Sequence, residues 1–88
     1  IDGEASSEAM RLAESFYKKG VERTLKRNWE EAIFCYEYAS TICEKQLGGD
    51  LFTAYALHQL GFAWANREQW DKAIDYYERT LAIYAKHK

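Results

Sequence analysis

The chain has 88 residues, 48% of them hydrophobic and 16% aromatic, with 12 Lys and Arg against 14 Asp and Glu and no proline at all. The aromatic content excludes a disordered segment, and the absence of proline excludes collagen-like and proline-rich recognition sequences. Two cysteines are too few for a disulfide scaffold, and a net charge of −2 argues against nucleic acid held by global charge.

The opening Ile1-Asp2-Gly3-Glu4-Ala5-Ser6-Ser7-Glu8 has no basic or apolar leader region and reads as a flexible N-terminus over residues 1–6. It also lacks a starting methionine, so the chain reads as an excised fragment of a longer protein or as a processed product. No apolar stretch approaches the ~20 residues that a membrane span needs. The first helix is predicted from about Ser7 to Lys26, with Ser6 or Ser7 offering a hydroxyl to the free amides of the first turn. The second starts after Asn28, where Asn28 and Glu31 form a capping-box pattern and Glu30 and Glu31 suit the positive end of the helix dipole. Trp29, Ile33, Tyr36, Ser40, Cys43 and Leu47 then follow at three- and four-residue steps and mark one helical face.

Gly48-Gly49 supplies a left-handed stop, and Asp50 caps the next helix. That third helix runs from about Leu51 to Arg67, with Phe52, Tyr55, Leu60, Phe62 and Trp64 on more than one face, the pattern of a helix between two neighbours. The fourth runs from about Trp70 to Lys86, with Asp71 at its start and Lys86, His87 and Lys88 at its end. Tyr76, Leu81, Ile83 and Tyr84 cannot all meet one partner helix, so this side is expected to want a neighbour: further helices or a second copy. Period-two alternation and hairpin turn pairs are absent, so the expected fold is all-α, four antiparallel helices in two hairpins.

The two hairpins repeat at a spacing of 41 residues. Gly20 matches Gly61, Trp29 matches Trp70, Ala32 matches Ala73, and Ile33 matches Ile74. Tyr36 matches Tyr77, Glu37 matches Glu78, Ile42 matches Ile83, and Lys45 matches Lys86. Residues 7–88 therefore read as one domain, with repeat one at about 13–46, a loop at 47–50 and repeat two at about 51–87.

Leu57, Leu60, Gly61, Trp64, Ala73, Tyr77 and Thr80 in the second unit, and Phe16, Gly20, Ala32, Tyr36 and Ala39 in the first, resemble the tetratricopeptide repeat. The small residues sit where the two helices of a hairpin cross, and the large ones fill the volume beside the crossing. The resemblance implies a right-handed stack of helical hairpins. The chain departs from the family in its 41-residue spacing, against about 34. The spacing and the stretch Glu44-Lys45-Gln46-Leu47-Gly48 are similar to the long-repeat subgroup of kinesin light chains and spindle-orientation adaptors. Lys19 and Arg23 stand where Leu60 and Trp64 stand in the second unit, which reads as a polar edge of the stack.

No constellation for catalysis is legible, and no enzyme activity or cofactor is expected. Cys35 and Cys43 lie eight residues apart, about 12 Å along a helix, too far to bridge each other. They read as small buried residues in a reducing, cytoplasmic setting. His58 and His87 have no metal-ligand spacing around them, so no metal site is expected.

The basic face formed by Lys19, Arg23, Lys26 and Arg27, beside Lys18, reads either as a solvated edge or as a seat for an anionic partner. The family resemblance implies a concave surface lined by the first helix of each hairpin. On this chain that surface holds Glu14, Tyr17, Lys18, Val21, Thr24 and Leu25, then Tyr55, His58, Gln59, Phe62, Ala65 and Asn66. The carboxylate clamp of the chaperone-binding members falls on Tyr17, Val21 and Gln59, so that clamp is absent. The expected function is a protein–protein interaction module of adaptor type, whose groove takes a peptide or a helix of a partner. The alternatives are a structural, self-associating piece of a longer solenoid and a peptide-sensing regulatory domain.

Overall fold

The computed structural model describes residues 2–46 and 51–87. Four helices follow one another: α1 (Asp2–Leu25), α2 (Trp29–Gln46), α3 (Leu51–Asn66) and α4 (Trp70–Lys86). α1 packs on α2, α2 on α3, and α3 on α4, two hairpins laid side by side. Helix α1 begins at Asp2, so residues 2–6 belong to the helix, and Ser6 and Ser7 lie inside it rather than capping it. The predicted stop at Gly48-Gly49, the Asp50 cap, the contact of Leu47 and the 47–50 loop lie outside the described residues.

The repeat seen in the sequence is a repeat in space. α1 and α3 end at equivalent residues, and α2 and α4 start at the paired tryptophans Trp29 and Trp70. Both turns between the helices are alike. Arg27 and Glu68 occupy the same repeat position, and both take a left-handed backbone, φ 59° and 60°. The amides of Asn28 and Gln69, one residue further on, donate back to the carbonyls of Arg23 and Trp64 at 2.8 and 3.0 Å. These bonds satisfy carbonyls that a helix end leaves open.

The start of α2 carries the expected cap: the Glu31 amide donates to Asn28 Oδ1 at 3.4 Å, and Asn28 Nδ2 donates to Glu31 Oε2 at 2.7 Å. Glu31 thus holds the cap through the Asn28 side chain, a variation on the usual reach to the cap backbone. Gln69, at the same place before α4, makes no side-chain capping bond.

At each hairpin crossing a glycine meets a tyrosine ring. A Cβ on Gly20 would stand 2.6 Å from the Tyr36 ring, and one on Gly61 would stand 2.7 Å from the Tyr77 ring. Real carbon atoms do not approach so closely, so only glycine lets the ring lie flat on the helix. The predicted face of α2 is buried at Ile33, Tyr36, Ser40 and Cys43. Ala32, Ile33 and Tyr36 form one cluster with Leu57, Leu60 and Ala63 of α3, with Trp29, Trp64, Tyr76 and Ile83 packed at its margin. Ala9, Ala13, Ile42 and Cys43 make a second cluster under Phe52. Of the four apolar residues of α4 that could not share one partner, Tyr76 and Ile83 pack inward, while Leu81 and Tyr84 stay exposed.

Candidate functional site

The groove residues named from the resemblance divide into two groups. Tyr17, Tyr55, His58 and Gln59 line one crevice of about 190 Å³, joined there by Tyr84 of α4. Tyr17 is held edge-on by two rings, Tyr36 at 5.5 Å and Phe52 at 5.4 Å. Its hydroxyl accepts a hydrogen bond from Gln59 Nε2 at 3.4 Å. The His58 ring lies 5.5 Å from that of Tyr77. Half of the Tyr55 side chain is open to solvent. The crevice therefore offers ring faces, hydroxyls, an amide and an imidazole brought together from three helices.

Tyr84 was not foreseen. It stands seven residues after Tyr77, whose ring lies beside that of His58, and so on the same face of α4.

The second group lies elsewhere. Val21 packs against the central cluster, and Phe62 meets the Trp29 ring edge-on at 5.8 Å. Leu25 is 79% exposed at the end of α1. Asn66 Nδ2 donates to the Phe62 carbonyl at 2.9 Å, closing the last turn of α3. Lys18 and Glu14 are exposed on α1, Ala65 is half-buried, and the Thr24 hydroxyl is paired with that of Tyr36 at 3.1 Å.

The four residues of the basic face do not share one helix. Lys26 and Arg27 follow the end of α1 and sit in the turn, whereas Lys19 and Arg23 are on the helix. Arg23 Nε is paired with Glu31 at 2.9 Å, and Lys19 Nζ lies 5.5 Å from the centre of the Phe16 ring. Arg23 and Glu31 stand where the second unit has Trp64 and Lys72, whose ammonium lies 4.2 Å over the indole. One pair of positions thus holds a charge pair in one unit and a cation–π contact in the other.

The edge beside these residues is less polar than expected. Leu12, Phe34 and Tyr38 are about half exposed or more, and Tyr38 stacks on Phe16 at 4.4 Å. A crevice of about 400 Å³ lies here along α2, between Phe34, Tyr38, Thr41, Ile42 and Lys45. It is away from the groove.

Among the described residues no group of three His, Cys, Asp or Glu side chains is placed to hold a metal ion. Cys35 and Cys43 are buried, with no disulfide between them. Burial pushes the Cys35 thiol above its ordinary pKa, against the smaller opposing pull of Arg23 and Lys19. That direction disfavours the thiolate a nucleophile would need. No described helix is long and apolar enough to cross a membrane.

Paired helical hairpins repeated along the chain, with a small residue under an aromatic ring at each crossing, define a helical-repeat module. The family model of the tetratricopeptide repeat matches residues 11–86, and the chain belongs to that family. Neither a curated protein nor a solved structure matches it. Repeats of this family generally mediate protein–protein interaction and are typically not enzymes.

Proposed function

We propose that the chain is a protein–protein interaction module of adaptor or scaffold type, and that its groove takes a peptide or a helix of a partner protein in the crevice of Tyr17, Tyr55, His58, Gln59 and Tyr84. The observation that carries this reading is the convergence of three helices on that crevice. Aromatic anchors with a few fixed polar groups are the composition of binding hot spots. The exposed half of Tyr55 is available to a ligand, while its neighbour Tyr17 is held rigid by packing and by Gln59. The long second helix and the 41-residue spacing support the likeness to kinesin light chain and spindle-orientation adaptor repeats. An intracellular, cytoplasmic setting agrees with two thiols left unbridged. The peptide-sensing alternative uses the same crevice with a smaller, free peptide.

The test is a peptide selected by display against the whole chain, titrated against wild type and Tyr55→Ala. Loss of at least about tenfold in affinity, roughly the 1.4 kcal/mol of a modest hot spot, with an unchanged melting curve supports the groove. Equal binding by the two proteins contradicts it.

A further inference from the structure

The joint between the two hairpins shows what each face of a hairpin accepts. On the first unit it uses Trp29 and Ile33, and on the second Leu57 and Leu60, with Trp64, Tyr76 and Ile83 around them. Two ion pairs flank it: Arg67 Nη2 to Glu30 Oε1 at 3.4 Å, and Arg79 Nη2 to Glu44 Oε1 at 2.9 Å.

Moved one repeat forward, the receiving face is left open. Ile33 is 6% exposed in the joint, and its equivalent Ile74 is 54% exposed. Trp70 and Leu81, the equivalents of Trp29 and Ser40, are also open to solvent. Moved one repeat back, the inserting face is open in part. Leu12 and Tyr38, at the places of Thr53 and Arg79, are each 46% exposed, Phe16 at the place of Leu57 is half-buried under Tyr38, and Ile42 at the place of Ile83 is already buried.

We propose that a second copy of this chain docks its α1–α2 face on the exposed α3–α4 face, head to tail, repeating the internal joint between molecules. Charge complementarity selects this occupant. The position of Arg67 becomes Lys26 and that of Glu30 becomes Asp71, so one ion pair is replaced by another of the same sign. The position of Arg79 becomes Tyr38 and that of Glu44 becomes Ala85, so the second ion pair is replaced by an apolar contact. Neither exchange strands a charge opposite an uncharged partner.

Lys19 takes the place of Leu60. The long stem of a lysine covers apolar surface while its ammonium stays at the margin. Glu30 and Glu31 come to the same side, with Glu31 already neutralised by Arg23 at 2.9 Å. The two faces differ, so the contact does not close on itself, and association continues beyond a dimer. These faces are separate from the Tyr55 crevice, so the proposal stands or falls independently of the groove reading.

Mass is measured by sedimentation of the whole chain from micromolar to millimolar concentration. The wild type is expected to grow with concentration past the dimer, and Ile74→Asp to stay at 10.3 kDa with an unchanged circular dichroism spectrum. Asp71→Lys and Lys26→Glu, each placing like charges in contact, are each expected to weaken association about tenfold. The double variant, with the pair reversed, is expected to return to within about threefold of wild type. A wild-type mass of 10.3 kDa at every concentration overturns the proposal. Growth that stops at a dimer, or a double variant no tighter than the singles, also overturns it.

Discussion

Ile33 and Ile74 are the same residue at the same repeat position, and one is buried while the other is half open. The same holds for Tyr36, with no exposed surface, and Tyr77, which is half-buried. Each unit supplies its own helices, turn and glycine–ring crossing. What differs is the neighbour: α3 covers the outer face of α2, and nothing among the described residues covers that of α4. Burial in a repeat protein is thus a property of the stack, while the hairpin is a property of the unit.

Paired substitutions measure that difference. Ile33→Ala is expected to lower stability by about 3 kcal/mol and Ile74→Ala by under ~1 kcal/mol, because only the first removes methyl groups from a packed site. Denaturant titration of the two variants checks this, and equal losses would break the comparison. Gly20→Ala drives a methyl into a fully buried ring and is expected to cost about 2 kcal/mol. Gly61→Ala meets a ring with solvent on one side and is expected to cost about 1 kcal/mol, read from the shift in melting temperature.

Arg27→Gly and Glu68→Gly each relieve a left-handed backbone at exposed turn positions. Each is expected to stabilise the chain by about 0.5–1 kcal/mol, equally in the two units, since the turns belong to the hairpins. The same denaturant titration reads the gain.

The smallest effect is in alkali. Burial raises the pKa of Tyr36 and Tyr77 above the ordinary 10.0, with Thr24 partly opposing the rise at Tyr36. A raised phenol keeps its proton in the fold while the unfolded chain releases it. Stability from this source is therefore full below pH about 10 and falls as pH climbs through the folded value. Tyr36→Phe is expected to flatten that fall more than Tyr77→Phe, by comparing melting temperatures from pH 8 to 11.

The hairpins were legible because helix period, cap and crossing residues recur at one spacing, and each is set by local chemistry. Asn28 with Glu31 announced the start of α2, and Gly20 with Tyr36 announced the crossing. The turn conformations were hidden because Arg27 and Glu68 carry no signal for a left-handed backbone, unlike glycine or asparagine. The start of α1 was misplaced because a serine that suits a cap is also tolerated inside a helix.

At the site, Tyr17, Tyr55, His58 and Gln59 line one crevice, while Val21 packs against the central cluster and Phe62 touches Trp29 with 43% of its surface still open. Their type and helix position are compatible with either role, and only the placement of the neighbouring helix decides. The charge pair of Arg23 with Glu31 was readable only by setting it beside Trp64 and Lys72, where the same two positions interact with different chemistry.

The most direct measurement is the NMR spectrum of the chain during titration with a display-selected peptide. The account predicts that resonances of Tyr17, Tyr55, His58, Gln59 and Tyr84 move together while those of Trp70 and Ile74 hold still. Shifts confined to Trp70, Ile74 and Leu81, with the crevice unmoved, would contradict the groove as the place where this protein meets its partner.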